Sequence, residues 1–247
     1  MYCLYINLDH QVARRASLED NFRTTCPSDW RLWRVRAVEA SLVGERWTAG
    51  SLRKEEKACF LSHLKAIELS SSINEDVLIA EDDALFARET APMIEHTAGS
   101  LPRDAWDMLF TDVSMPCMRT MSVLVRLRRS LMQQRRFQIV NLRNLSFSGS
   151  TSYVLNKESK RKVYDVLTAH DPLNIPFDMF IRRSLTEGVL KGCVLFPFAT
   201  SLSEHADDSQ IQPTTGRLGR VVQNSFRRAM WIGSDVEAIA NSLAARG

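Results

Sequence analysis

Residues 77–86 read Val77-Leu78-Ile79-Ala80-Glu81-Asp82-Asp83-Ala84-Leu85-Phe86. A short apolar run stops abruptly at three consecutive acids. The run has the length of a buried strand. Three carboxylates crowded at a strand end repel one another unless a cation, a helix N-terminus or solvent offsets them. Such a cluster would hold a divalent metal against a diphosphate. A plainer reading makes Asp82 or Asp83 the cap of a following helix. These ten residues alone leave both readings open.

Working outward, residues 2–8 read as a first strand. A helix follows over 12–26, with Leu18 and Phe22 spaced i, i+4. Residues 31–38 alternate polar and apolar, the strand period. Residues 53–70 read as a helix with Phe60, Leu64 and Ile67 on one face. After the acid-tipped strand come a helix near 88–98 and a strand over 106–110, ending at Asp112. Residues 150–155 read as a strand, and Asn156 is placed to cap a helix over 157–169. Residues 178–187 read as a helix and 189–196 as a strand. This alternation predicts an α/β domain with a largely parallel sheet.

The chain has 247 residues, 45% hydrophobic and 25% charged, enough for one large domain or two small ones with a substantial core. No apolar run approaches the roughly 20 residues of a membrane span. The N-terminus passes straight into a strand pattern, with no signal-peptide pattern evident. The five cysteines, at 3, 26, 59, 117 and 193, are dispersed and form no Cys-x-x-Cys pair. That argues against a zinc ribbon and a disulfide framework, and a reduced cytoplasmic compartment is the simplest expectation.

Net charge is only +3, but it is unevenly spread. From Val113 through Lys157 there is no Asp or Glu, while Arg119, Arg126, Arg128, Arg129, Arg135, Arg136 and Arg143 fall in that stretch. The resulting potential suits phosphates or an anionic surface. Nucleic acid is not expected, because the block lacks the interleaved aromatics of a stacking platform. Further on, Arg217, Arg220, Arg227 and Arg228 decorate Leu218, Val221, Val222, Phe226, Met230 and Trp231. That pattern reads as a C-terminal helix, either docked on the domain or lying on an anionic membrane.

Several catalytic signatures are missing. The chain has no strand–Gly-x-Gly-x-x-Gly–helix fingerprint, P-loop, His-Glu-x-x-His or Gly-x-Ser-x-Gly. Ser62 and His63 are adjacent, but neighbours on a helix point apart and cannot pair. His63 shares a face with Phe60 and Ile67, where a hydrogen-bonded core histidine is an equal reading.

The joint pattern says more than any part. In order come Ile6-Asn7-Leu8-Asp9 with Arg14-Arg15, then Ala58-Cys59-Phe60-Leu61-Ser62-His63-Leu64-Lys65-Ala66, then the acidic strand end. Gly149-Ser150-Thr151-Ser152-Tyr153-Val154-Leu155, Pro176-Phe177-Asp178, Phe196-Pro197 and Asp208-Ser209-Gln210-Ile211 follow. Over residues 2–211 this resembles glycosyltransferase family 25, the lipooligosaccharide and procollagen galactosyltransferase group. The chain departs at Glu55-Glu56-Lys57-Ala58-Cys59, where the family has Gly-Glu-Ile-Gly-Cys, and at Gln210, where it has Asp.

The resemblance implies a GT-A-like domain over 1–212: a Rossmann-type, mixed and mostly parallel sheet flanked by helices, followed by a basic helical extension over 213–247. It implies an inverting transferase that moves a hexose, galactose first, from a UDP-sugar to a glycan or glycolipid hydroxyl. A phosphorylated lipopolysaccharide core at the inner face of a membrane would suit the arginines. Glu81-Asp82-Asp83 would be the acidic motif that holds Mn²⁺ or Mg²⁺. Asp83 and His205 are then the expected ligands, with Glu81 on the ribose or acting through water. Asn7, Leu8 and Asp9 would meet the base, Arg14 and Arg15 the phosphates or ribose. Ser62, His63 and Lys65 would line or brace the donor pocket. Asp178 is the expected base, with Asp112 and Asp208 as alternatives and a helix N-cap as its plainer role. The rival readings are a metal-dependent phosphohydrolase or nucleotidyltransferase, and a non-catalytic binding module.

Overall fold

The computed structural model describes residues 1–43, 49–169, 172–208 and 217–234. Its elements in order are β1 (Tyr2–Asn7), α1 (Val12–Thr25), β2 (Arg31–Arg36), α2 (Lys54–Ser70), β3 (Val77–Glu81), β4 (Ala84–Phe86) and α3 (Thr90–Ser100). Then come β5 (Met108–Phe110), α4 (Met118–Gln133), β6 (Gln138–Asn141), β7 (Ser152–Leu155), α5 (Lys160–Thr168) and α6 (Phe177–Thr186). The last are β8 (Gly192–Phe196), β9 (Thr200–Leu202) and α7 (Arg217–Met230).

A seven-stranded sheet has the order β2-β1-β3-β7-β5-β8-β6. β1, β2, β3, β5 and β8 run one way, and β6 and β7 run against them. The largely parallel α/β sheet expected from the alternation of elements, and the mixed one that the resemblance implies, is what the chain forms.

Strand alternation divides the core. Leu4, Ile6, Val77 and Ile79 face the side covered by Phe60, Leu64 and Ile67 of α2 and by Phe177 and Ile181 of α6. Cys3, Tyr5, Leu78 and Ala80 face the other side, covered by Leu18 and Phe22 of α1 and by Met93 and Ile94 of α3. Covered on both faces, β3 has no polar residue before Glu81, which is why it reads as one unbroken apolar run.

The parallel register sets Asn7 opposite Arg36 and Ile6 opposite Glu81, so the carboxyl ends of β1, β2 and β3 share one edge. β7 enters from that edge in the opposite sense: Ser152 pairs with Ala80, and Glu81 N–H donates to Thr151 O at 2.7 Å.

Two expectations change. No helix begins at the acids: Ala84–Phe86 is β4, which pairs antiparallel with β9 in a two-stranded sheet, and α3 starts only at Thr90. Asp82 and Asp83 therefore occupy a turn between strands, and neither caps a helix. α5 begins at Lys160, so Asn156 does not cap it. Asn156 Nδ2 instead donates to Arg103 O and Trp106 O, while its Oδ1 accepts Glu158 N–H. The Arg-rich stretch forms α4 and β6.

Among the described residues no helix is long and apolar enough to cross a membrane. α7 packs against α4 and β9, with Asn224, Arg227 and Met230 buried. Ser209–Ile211, which complete the last sequence motif, lie outside the described residues.

Candidate donor site at the carboxyl edge of the sheet

The strand order reverses at β1: β2 lies on one side of it and β3 on the other. Ligands of open α/β sheets bind in the crevice at such a switch point, beyond the strands' carboxyl ends. A cavity of about 310 Å³ opens there, lined by Asn7, Leu8 and Gln11 after β1, Val38 to Ser41 after β2, Cys59, Ser62 and His63 of α2, and Glu81 to Asp83. Its volume is at the small end of the roughly 300–1,000 Å³ typical of ligand pockets.

The β1 end is held by side-chain ties. Asn7 Nδ2 donates to Asp82 Oδ2 at 2.8 Å and to Gln11 O at 3.1 Å. Arg34 Nε donates to Asn7 Oδ1 at 3.0 Å. Asp9 is held outside the cavity by Arg34, at 2.7 Å, and by Arg36. The Arg34 hydrogen bond keeps its carboxyl below the usual range. Leu8 lines the cavity; Asp9 and Arg15 do not.

On α2, Ser62 Oγ accepts Val38 N–H at 2.8 Å and donates to Ala58 O at 2.7 Å, pinning the wall that follows β2. Lys65 Nζ donates to Arg36 O at 2.9 Å, bracing the end of β2 from outside the cavity. His63 is buried and stacks on Phe177, with ring centroids 4.2 Å apart. Its Nδ1 lies 3.1 Å from the Tyr153 hydroxyl and its Nε2 lies 3.4 Å from Glu81 Oε1. His63 is thus a core histidine that also lines the cavity and contacts its Glu81 carboxylate.

Arg14 Nη2 lies 2.8 Å from Asp82 Oδ1 and 2.8 Å from Asp83 Oδ2. Burial raises Asp82 above the usual carboxylate range. Asp83 is pushed up to about 7, first by burial and then by the charge of Glu81, against the pull of Arg14. Glu81 is different. Burial would raise it, but the His63 hydrogen bond and the charges of His63, Arg227 and Arg14 bring it below its ordinary value.

For a divalent cation, the telling atom is Asp83 Oδ1: it is buried and has no hydrogen-bond partner among the described residues. A hard carboxylate oxygen left uncompensated fits Mn²⁺ or Mg²⁺. Among the described residues, no three of His, Cys, Asp and Glu are grouped to close on a metal. Asp83 and His205 alone therefore do not complete a shell, and substrate oxygens would have to contribute. His205 lies in the short turn Glu204–Asp208, whose approach is tied to the site where Ser203 N–H donates to Asp83 O at 2.8 Å.

The candidate bases separate. Asp112 is fully buried and paired with Arg227, with Nε to Oδ2 at 2.9 Å, so it cannot meet an acceptor hydroxyl. Asp178 is half-buried in the first turn of α6; its Oδ2 accepts Gly149 N–H at 2.7 Å and its Oδ1 accepts Met179 N–H at 2.9 Å. It does not line the cavity itself, yet its charge, with those of Glu81 and Asp83, acts on the half-buried Cys59 thiol, which desolvation and these anions raise. Asp208 ends the short turn that carries His205.

Sequence reasoning missed Gln11, Cys59, Arg34 and Arg227 as parts of the site. Cys59 lay inside the quoted motif and was the legible one. Arg34 and Arg227 are joined to the site only by pairings distant in sequence.

A mixed α/β sheet whose switch point holds a cavity floored by three carboxylates has the architecture of an open-sheet ligand-binding protein. Within that class the chain belongs to glycosyltransferase family 25 (LPS biosynthesis protein), whose sequence profile matches residues 2–181. No curated protein matches the chain in sequence. Among solved structures it is similar to galactosyltransferase LgtC in complex with donor and acceptor sugar analogs, at 12% identity and TM-score 0.42, over 78% of this chain and 73% of that one. Mouse xyloside xylosyltransferase 1 in its apo form gives 11% identity and TM-score 0.41, over 76% of this chain and 83% of the other. The glycosyltransferase GlyE of Streptococcus pneumoniae TIGR4 gives 8% and 0.41, over 77% and 44%.

Proposed function

We propose that this family 25 member transfers a hexose, galactose first among candidates, from a UDP-sugar to a glycan or glycolipid hydroxyl, with inversion at the anomeric carbon. The observation that carries the reading is the cavity at the β1/β3 switch point, walled by Asn7 and Leu8 and floored by Glu81, Asp82 and Asp83. In this reading the base and ribose lie along Asn7, Leu8 and Gln11. Glu81, fixed by His63, accepts from the ribose hydroxyls. Arg14 faces the diphosphate.

Asp83 would hold Mn²⁺ or Mg²⁺, with Asp82 beside it and His205 as the further candidate. The bound cation would neutralise charge gathering on the departing nucleotide. Asp178 is the proposed base for the acceptor proton as the hydroxyl attacks an oxocarbenium-like centre. Its bonds to Gly149 and Met179 N–H fix the carboxylate in place.

The acceptor is taken to be anionic and presented at the cytoplasmic face of a membrane. The exposed side of α4 carries Arg119, Arg126 and Arg129 beside Val123, Val125 and Met132, with no acid from Val113 to Lys157. Such a surface suits phosphorylated headgroups.

The test is a panel of UDP-, GDP- and CMP-sugars scored by thermal shift with and without Mn²⁺. Turnover follows on neutral and phosphorylated glycan acceptors, with the product anomer read by NMR. Metal-dependent stabilisation by a UDP-hexose and an inverted linkage are expected. A retained linkage would reject inversion. Release of sugar 1-phosphate would instead indicate a phosphohydrolase or nucleotidyltransferase. Tight UDP binding without turnover on any acceptor would indicate a binding module.

A further inference from the structure

α7 lies outside the 2–181 segment that the family profile covers, yet it reaches the acidic strand end by two separate routes. The first runs through Arg227, which is buried to 5% exposure. Its Nε and Nη2 both contact Asp112 Oδ2, the Nε at 2.9 Å, and its Nη2 also donates to Thr151 Oγ1 at 2.8 Å. Thr151 O accepts Glu81 N–H at 2.7 Å. One guanidinium thus joins the exit of β5 to the start of β7, where the backbone of Glu81 is anchored.

The second route runs through Arg228. Its Nη2 donates to Ser203 O at 2.9 Å and its Nε to Leu202 O at 3.3 Å. Ser203 N–H donates to Asp83 O at 2.8 Å, and Leu202 pairs with Ala84 in the β4–β9 ladder. Arg227 therefore acts on the Glu81 end of the acidic turn and Arg228 on the Asp83 end. A helix docked for packing alone would bury apolar residues; this one buries an arginine, whose desolvation is costly without a partner. Arg227 also lies by the loop that holds Asp178: a Cβ placed on Gly149 would sit 3.7 Å from its Nη1.

We propose that α7 is a working part of the donor site, with Arg227 and Arg228 as positioning residues that set the two ends of the Glu81–Asp83 turn. The donor part of this inference rests on the transferase reading; the positioning part does not.

The test has two arms on the full-length chain. In the first, amide hydrogen exchange is measured without ligand in Arg227→Lys, in Asp112→Asn combined with Arg227→Gln, and in Arg228→Ala. The paired variant removes both buried charges together and so retains the fold if Arg227→Lys does not. Exchange at Glu81 is expected to quicken at least tenfold in the Arg227 variants, and at Ser203 in Arg228→Ala, with Leu4 and Tyr5 in β1 unchanged. Unaltered protection at Glu81 and Ser203 in the folded variants overturns the proposal.

In the second arm, titration with UDP and Mn²⁺ is expected to show at least tenfold weaker binding in the Arg227 variants. Val221→Ala, on the exposed face of α7, should bind as the parent does. Folded Arg227 variants that bind as tightly as the parent overturn the donor-site role. A parent that binds no nucleotide sugar overturns the transferase reading, while the exchange arm still decides positioning.

Discussion

Arg14 Nη2 lies 2.8 Å from Asp83 Oδ2, and the same nitrogen lies 2.8 Å from Asp82 Oδ1. One cation thus holds together two adjacent carboxylates that would otherwise repel. In the metal-free protein Arg14 provides the charge balance that a bound cation would share.

Removing Arg14 should therefore hurt most when no cation is present. Arg14→Ala is expected to cost about 3 kcal/mol in unfolding free energy in EDTA, the low end of the scale for breaking a buried ion pair. With Mn²⁺ and UDP added, the gap to the parent should narrow by at least half. Urea unfolding under both conditions measures it. An identical gap in both buffers would mean that the cation does not take over Arg14's electrostatic role.

Asp83 sets a pH signature. Its carboxyl is pushed up to about 7, chiefly by burial, from an ordinary 3.8. A carboxyl raised in the folded state binds its proton more tightly there than when unfolded. Its contribution is fully favourable below the unfolded value and is lost as pH rises through about 7. Asp83→Asn, always neutral, should thus gain on the parent in EDTA as pH goes from 5.5 to 8. The gain over this window is about 2 kcal/mol, from the roughly 1.5 units between pH 5.5 and the raised value at 1.36 kcal/mol each. Chemical denaturation at the two pH values checks it; a parallel pH dependence in parent and variant would show that Asp83 is ionised throughout.

Which parts of this site were legible in the sequence follows from the range of the interactions. β3 could be read because both its faces are covered, and α1 because Leu18 and Phe22 recur at helical spacing. The fate of Asp82 and Asp83 could not. β4 is only three residues long and exists because Phe86 pairs with Thr200, more than a hundred positions away. Local preference favours a cap there, and a distant strand overrides it. The Asp112–Arg227 pair spans 115 residues and leaves no local mark. Arg128 looks like surface charge, yet it is buried, with Nη2 donating to Trp231 O and Ser234 O. The motif residues were found by type and order, but the structure sorts them: Asn7 and His63 touch the acidic turn, whereas Lys65 and Asp9 tie to β2 outside the cavity.

Asp178 can be tested for chemistry against positioning. Asn can still accept one backbone N–H but cannot take a proton, and Ala does neither. A base role predicts that Asp178→Asn and Asp178→Ala both lose at least a hundredfold in kcat, with UDP binding unchanged. A role confined to holding Gly149 predicts that Asn keeps most of the turnover that Ala loses. Steady-state kinetics beside UDP titration separates the two.

His63 carries packing and polarity in one ring, and the two are separable by substitution. His63→Phe keeps a ring against Phe177 but abandons the contacts to Tyr153 and Glu81. His63→Ala loses the stack as well and leaves a cavity. Stability should fall by about 1–2 kcal/mol for Phe, from lost hydrogen bonds, and by about 3–4 kcal/mol for Ala, from lost packing. UDP affinity should behave otherwise, dropping by a similar factor, about tenfold, in both, since each leaves Glu81 without the partner that orients it. Urea denaturation and UDP titration of the two variants give the comparison. If His63→Phe binds UDP as the parent does, Glu81 is oriented without His63, and the ring serves the core alone.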